Sequence, residues 1–432
     1  MNPLHQTDLP TLGRNTDIDH HADLQVLQRI KRFLLPRDFE VSKDLLQQMQ
    51  QGYGVADQPV DTLLSSGIKF AKPLQQLILH EQGIAQTNDV LAAKALLQQP
   101  AFETLYQQFC KYPSWYDAKL AEIGAIAYRR YPLMLIWLLR NVALMAGYSI
   151  PALSLPLIKT GALVHDALPR LMRTYGYILA VSEYPAISRN QQPPLAIGTE
   201  GWRQSLQVRQ IHGLVRQQLC SHDWDSGYWG VPINQTDMVA THLQFSLLIM
   251  RGLKLLGARI SAEESQGIMH LWQLASWWMG IELARIPEDE TEAWAWLYSY
   301  LATQQLDFEF GKPLAKALHD LPSQIMGEDN RRGQLVERVN ASVTRTLVGD
   351  DIGDGLGLPS PKWRYGVLVS VPILFGLDTA RAHNAAIAKR LAQFRAKRQD
   401  NMNWWLKKHD NYYQCPSTYQ STSSYDVTNL QE

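Results

Sequence analysis

Apolar residues recur along this chain at the 3.6-residue spacing of an α-helix almost from end to end, and that period leaves little room for a sheet. Segments such as DLQVLQRIKRFL, VLAAKALLQQPAFETLYQQF, AWAWLYSYLATQQL and RAHNAAIAKRLAQFRAKRQ combine this spacing with Leu, Ala, Gln, Lys and Arg, all good helix formers. Alternating apolar–polar runs are scarce, and no fixed-period repeat of the solenoid kind occurs. The expected fold class is all-α. The clearest punctuation, SRNQQPPLAIGTEG at 188–201, forces extended backbone at Pro193 and Pro194 but is too short to divide domains. We therefore expect one large helical domain over residues 23–400. A flexible N-terminus (1–22) and a polar tail (401–432) lie outside it, because both ends lack periodicity.

Charge narrows the partners. Lys and Arg number 41 and Asp and Glu number 41, so the formal net charge is zero. Nucleic-acid binding requires a basic excess or stripe, so no nucleic-acid partner is expected. Hydrophobic residues make up 46% and charged ones 19%, ample material for a core. The three cysteines are too scattered for a disulfide framework. With no basic start followed by an apolar run at the N-terminus, the expectation is a cytoplasmic protein.

Two uncharged stretches require a test for membrane crossing. Tyr131–Leu139 and Val142–Ile158 are split by Arg140 and Asn141, and Gly147, Pro151 and Pro156 interrupt the second. A spanning helix needs about 20 mostly apolar residues. A buried core helix, a turn and a second short helix are expected instead, and the same for Gly366–Leu377 with its Pro372. Peripheral membrane contact stays open.

The most informative stretch begins with GWRQSLQVRQIHGLVRQQL, where Arg209, His212 and Arg216 fall within roughly 60° on one helix face. A histidine among Val208, Val215 and Leu219, with a cation one turn either side, has the makings of an axial haem ligand. Burial and neighbouring positive charge both keep its imidazole neutral, as iron binding requires. Arg209 and Arg216 would then orient it or meet the propionates. The same pattern also describes a core histidine bonded to a carbonyl, with arginines on an ion-paired face. A single histidine at helical spacing does not separate the two.

The following segment adds WGVPINQTDMVATHLQFS, a Gly-rich turn leading into a helix with Asp237 near its start. Together, VRQIHGLVR and WGVPINQTDMVATHLQFS resemble the bacterial and fungal oxygenase family that contains latex-clearing proteins and the mycophenolic-acid-pathway oxygenase. The upstream LIKTGALVHDALPRLMRTYGYILAVSE and the downstream WQLASWWMGIELARIPEDETEAW are similar to that family as well. The likeness covers residues 100–300 well and the C-terminal part loosely. It implies a helical fold with a globin-like core and non-covalent haem b (iron), with His212 as proximal ligand. It also implies O2 as co-substrate and Arg170, Arg173 and Thr174 lining the distal side. Arg173 stands where latex-clearing proteins carry a Lys. Guanidinium keeps its proton and does not ligate iron, so an open or water-bound sixth site follows.

The implied function is a haem-dependent oxygenase acting on an apolar, isoprenoid-like or lipid-like small molecule or polymer. The alternative from another class is a non-catalytic carrier or sensor that binds haem or a lipid. A third, an isoprenoid-diphosphate enzyme, rests on Asp350, Asp351 and Asp354 in GDDIGDGLGLPSP. Interleaved glycines predict a turn there rather than a Mg²⁺-binding helix face. Asp17, Asp19, His20 and His21 lack metal-site spacing. His222, Asp223 and Asp225 are expected to cap the next element, and Cys220 to be a buried thiol. His242 is left open between facing the cofactor and packing. The tryptophans at 272, 277, 278, 294 and 296 read as core.

Overall fold

The computed structural model describes residues 30, 34–36, 39–84, 90–160, 167–185, 191–222, 224–391 and 393. Among these no strand occurs, and the buried apolar residues from Ile30 to Leu358 form one connected core. The all-α, single-domain expectation is met. The two tails assigned at 1–22 and 401–432, and the Asp17–His21 cluster, lie outside the described residues.

Local chemistry starts the helices where the sequence provides a cap. Thr199 caps Glu200–Cys220, Asn234 caps Gln235–Leu243, and Ser261 with Glu264 forms a reciprocal capping box on Ala262–Trp278. Backbones approach closely where side chains vanish. Ala118–Tyr128 crosses Ala262–Trp278 at Gly124 and Gly267, where a Cβ on Gly124 would lie 2.1 Å from the Gly267 carbonyl oxygen. A single added methyl would force these two helices apart.

The apolar run at 131–158 is buried as expected, though Arg140 and Asn141 do not break it. Pro132–Tyr148 is continuous and passes through a π turn at Leu139–Leu144. The Arg140 guanidinium donates to the carbonyls of Leu318 and His319 and to Asn141 Oδ1, which lets the helix carry it through the core. The chain then turns at Ser149–Ile150 into Pro151–Lys159. A second π turn, Gln244–Leu248, interrupts the helix from Gln235 to Leu255.

Two expectations are corrected. Gly366–Leu377 is not a buried helix. It spans a 3₁₀ turn, Arg364–Val369, and the helix Ser370–His383, with Val369 63% and Ile373 57% exposed. Pattern alone reports which residues are apolar, not whether another element covers them. Likewise Asp350–Gly355 is a short helix rather than a turn. Its carboxylates at 350 and 354 pair with Arg345, and Arg364 adds a second cation to Asp350. They are already neutralised, which removes the basis for a diphosphate-metal site.

Candidate active site

The helix Glu200–Cys220 runs through the body of the protein and is held on three sides. Against Ala167–Val181 it packs antiparallel. Gly201 lies under the Ala180 carbonyl, and Tyr177 hydroxyl meets Ser205 Oγ at 3.1 Å. Against Ala71–Glu81, Gln210 accepts from Ala71 N, and Gln75 donates to the Arg203 carbonyl. Against Gln58–Ser65, Gly213 leaves so little space that a Cβ would fall 2.4 Å from Val60 Cγ1.

Two ion pairs fasten that last contact. Arg209 donates from Nε and Nη2 to the two oxygens of Asp57 at 2.6 and 3.0 Å, and from Nη1 to Gln108. Both side chains of the pair are only 4% exposed. Arg216 donates to Asp61 at 2.9 Å and, through Nη1, to the Ile233 carbonyl at 3.0 Å. Gly280, at φ +89°, lies directly over the Arg209–Asp57 pair, where a Cβ would come within 2.5 Å of both partners. In this structure the two arginines therefore clamp the helix by pairing with aspartates, so the orienting role is the one with visible partners. Removing one member of such a buried pair costs about 3–5 kcal/mol, because the other is left charged and unpaired.

His212 lies between the two clamps in sequence. Its side chain is half-buried, on the interior-facing part of the helix between the two ion pairs. Burial, and then the neighbouring Arg216 charge, push its pKa down to about 4, so the imidazole is neutral at neutral pH. Its Nδ1 is sealed from solvent and has no hydrogen-bond partner. Other side-chain atoms among the described residues share this state, four of them tryptophan Nε1 atoms, so the feature leaves room for a ligand or a water without requiring one. The next imidazole, His242, comes from the helix after the Pro232–Gln235 turn. Its Nδ1 lies 2.9 Å from Ser276 Oγ, its ring meets Trp272 edge-on, and burial with His212 nearby lowers it to about 3. His242 was left open in sequence, and the structure brings it to the same neighbourhood as His212.

The turn itself is built to hold this junction. Ile233 takes φ +53°, so its carbonyl can accept from Arg216. Asn234 caps the helix and, with Tyr300, donates to the Asp237 carboxylate. Gln235 bridges the Gly280 carbonyl and the Glu282 amide. The motif is a hydrogen-bonded splint.

Arg170, Arg173 and Thr174 occupy the first half of Ala167–Val181, and all three are half-buried. Because that helix runs antiparallel to Glu200–Cys220 from the Tyr177–Ser205 contact, they sit toward the His212 half of it. Arg170 borders a closed cleft with Leu144, Tyr148, Leu314 and Leu318 that is too tight to admit a water, and its charge acts on the Tyr148 phenol. No hydrogen bond or ion pair joins Arg173 or Thr174 to His212 among the described residues. A second, apolar cleft with an internal volume of about 20 Å³ is lined by Ala240, Gln244, Ala146, Ile150, Tyr300 and others.

Among the described residues no three His, Cys, Asp or Glu side chains gather as a metal cage. His212 could therefore supply a single neutral nitrogen donor rather than a full protein ligand set. The rival candidates are placed elsewhere. His222 bonds back to the Gln218 carbonyl of the preceding helix at 2.8 Å rather than capping the next element, whereas Asp225 does cap Ser226–Trp229. Asp223 lies outside the described residues. Cys220 is exposed, not buried. Sequence reasoning missed Asp57, Asp61 and Ser276. A residue 152 positions away gives no local signal, although the aspartates at i and i+4 in ADQPVDTLL are a trace of it.

Comparison with solved proteins places this architecture. A structure of Latex Clearing Protein LCP in the closed state shares the fold with a TM-score of 0.51 and 20% sequence identity, covering 79% of this chain and 84% of that one. The Rubber oxygenase of Streptomyces sp. (strain K30) is 24% identical over 157 residues, 36% of this chain. The aligned part spans 37% of that relative's length. The family described as ER-bound oxygenase mpaB/B'/Rubber oxygenase, catalytic domain, matches residues 128–371, a stretch that contains both His212 and Arg170. The chain belongs to this family.

Proposed function

We propose that this protein is a haem b oxygenase that uses O2 on an apolar, isoprenoid-like or lipid-like substrate. The observation that carries the reading is His212, whose imidazole is neutral at neutral pH and whose sealed Nδ1 has no partner. His212 would hold the iron of the haem, and bound haem would supply the centre at which dioxygen is activated. Arg209–Asp57 and Arg216–Asp61 fix the helix that carries His212, so the imidazole keeps one orientation. Arg170, Arg173 and Thr174, half-buried on the helix that packs against the His212 helix, would supply polar groups to a dioxygen-binding site there. The apolar surroundings exclude water and favour a hydrocarbon substrate.

The test is spectroscopic. Protein produced with sufficient haem should purify coloured, with a Soret band that acidic acetone extracts, since the chain has no C-x-x-C-H attachment motif. His212→Ala should lose the band, while His222→Ala, altering a turn residue, should keep it. Colourless wild type that gains no band on haemin titration would refute the reading. A normal spectrum in His212→Ala would refute the ligand. Arg170→Ala or Thr174→Ala should keep haem and lower O2-dependent turnover by about 10²–10³-fold.

A further inference from the structure

The most apolar exposed surface of the described protein is the segment Arg364–His383. It is 20 residues long and contains an 18-residue stretch with a mean hydropathy of 1.2, enough by length and composition to cross a bilayer. Yet it is fastened to the body along one edge. Gly257, at φ +100°, lets the Val371 carbonyl approach so closely that a Cβ at 257 would lie 2.3 Å from it. The fully buried Asp378 accepts from the Arg259 amide at 2.9 Å and from Arg381 at 3.2 Å. Away from that edge Val369, Ile373 and Leu377 are exposed at one-turn spacing, with Trp363 and Tyr365 exposed before them, while Phe375, also exposed, lies under the Arg259 guanidinium at 5.5 Å. Soluble proteins rarely leave so continuous an apolar patch in water.

Charge identifies what covers it. After Asp378 the sequence reads TARAHNAAIAKRLAQFRAKRQ before the next acid, Asp400. That stretch holds Arg381, Lys389, Arg390, Arg395, Lys397 and Arg398 with no Asp or Glu, in a chain whose net charge is zero. Lys362 is exposed before the segment, and Lys389 and Arg390 are exposed after it. Trp363 and Tyr365 stand at one end, where amphipathic rings suit the headgroup region. A second copy of the chain would bring these like charges together, whereas an anionic surface would neutralise them.

We propose that Arg364–His383 is an in-plane anchor that seats the protein on an anionic lipid bilayer, its outer apolar face immersed at the headgroup boundary and the exposed Lys362, Lys389 and Arg390 at the phosphates. The docked edge and the buried Asp378 keep it from crossing. This inference is independent of the haem reading.

Full-length protein should co-sediment with vesicles of phosphatidylcholine mixed with phosphatidylserine, bind pure phosphatidylcholine at least tenfold more weakly, and release at high salt. The double variant Val369→Glu with Ile373→Glu should lose vesicle binding at least tenfold while its circular dichroism and thermal midpoint stay at wild-type values. Lys389→Glu with Arg390→Glu, at exposed positions, is the second variant and should weaken binding by roughly fivefold or more per cation. Binding that resists an alkaline carbonate wash would overturn the proposal in favour of a spanning helix. A dimer in light scattering that the Val369/Ile373 variant dissociates, with no vesicle binding, would overturn it in favour of a second copy. Unchanged vesicle binding by both variants would remove the segment from any such role.

Discussion

Two helices of this protein invert the usual relation between composition and burial. Glu200–Cys220 is rich in Arg and Gln, yet it runs through the interior with Arg209 and Arg216 almost fully buried. Ser370–His383 is mostly apolar, yet it lies at the surface with a single fully covered side chain, Asp378. The first is tolerated inside because each guanidinium meets an aspartate and further acceptors, which offsets the desolvation that would otherwise expel it. The second stays outside because only its edge meets a partner. Burial follows the availability of partners, and hydropathy is only one way of having one.

Four substitutions or conditions probe that contrast, in descending size. Asp57→Ala strands the Arg209 charge and should lower unfolding stability by about 3–5 kcal/mol, read from the urea midpoint. If the midpoint hardly moves, the clamp is not holding the interior helix. Gly213→Ala pushes a methyl into Val60 and Leu64 and should cost about 1–3 kcal/mol by the same measurement, with His212 displaced from its seat. Acidification should come next. His212 and His242 have native pKa values near 4 and 3 against an ordinary 6.5, so below pH 6.5 the unfolded chain binds protons that the native apoprotein refuses. Asp61, lifted by burial to about 6, works in the opposite sense between roughly pH 4 and 6. Two histidines against one carboxylate leave a net loss of stability as pH falls from about 6.5 toward 4, by up to about 1.4 kcal/mol per unit for each uncompensated histidine. A denaturation midpoint that is flat between about pH 7 and 5 would contradict the burial of these rings. The smallest effect belongs to the outer helix, where Ile373→Ser should change folding stability by no more than about 0.5 kcal/mol.

The all-α class was legible because helical periodicity is a property of consecutive residues, and the caps at Thr199, Asn234 and Ser261 are local as well. The residues of the His212 helix and the Pro232–Gln235 turn could be singled out by motif. What escaped was relational. Nothing near Arg209 announces Asp57, and nothing in Gly366–Leu377 says that no element will cover it. Nor does the run through Arg140 show that carbonyls at 318 and 319 will receive its guanidinium. His270 illustrates the same point from the other side. It looks like any helical histidine, but its Nε2 accepts from the Asp117 amide at 2.8 Å, so it is a structural joint between distant helices.

The paired π turns have a consequence of another kind. Leu139–Leu144 and Gln244–Leu248 lie against each other, and the Tyr128 hydroxyl bonds the Phe245 carbonyl at that level. A π turn houses one residue more than regular winding allows, and everything beyond it is rotated by about 100° relative to an uninterrupted helix. In the second helix this lets His242 face Ser276 while Gly252, ten positions on, still meets Leu138. The extra residue behaves like an added tooth on a gear, letting the two halves of one rod engage different neighbours. Shortening the chain by one residue there would leave both halves helical, but only one of them could stay in mesh.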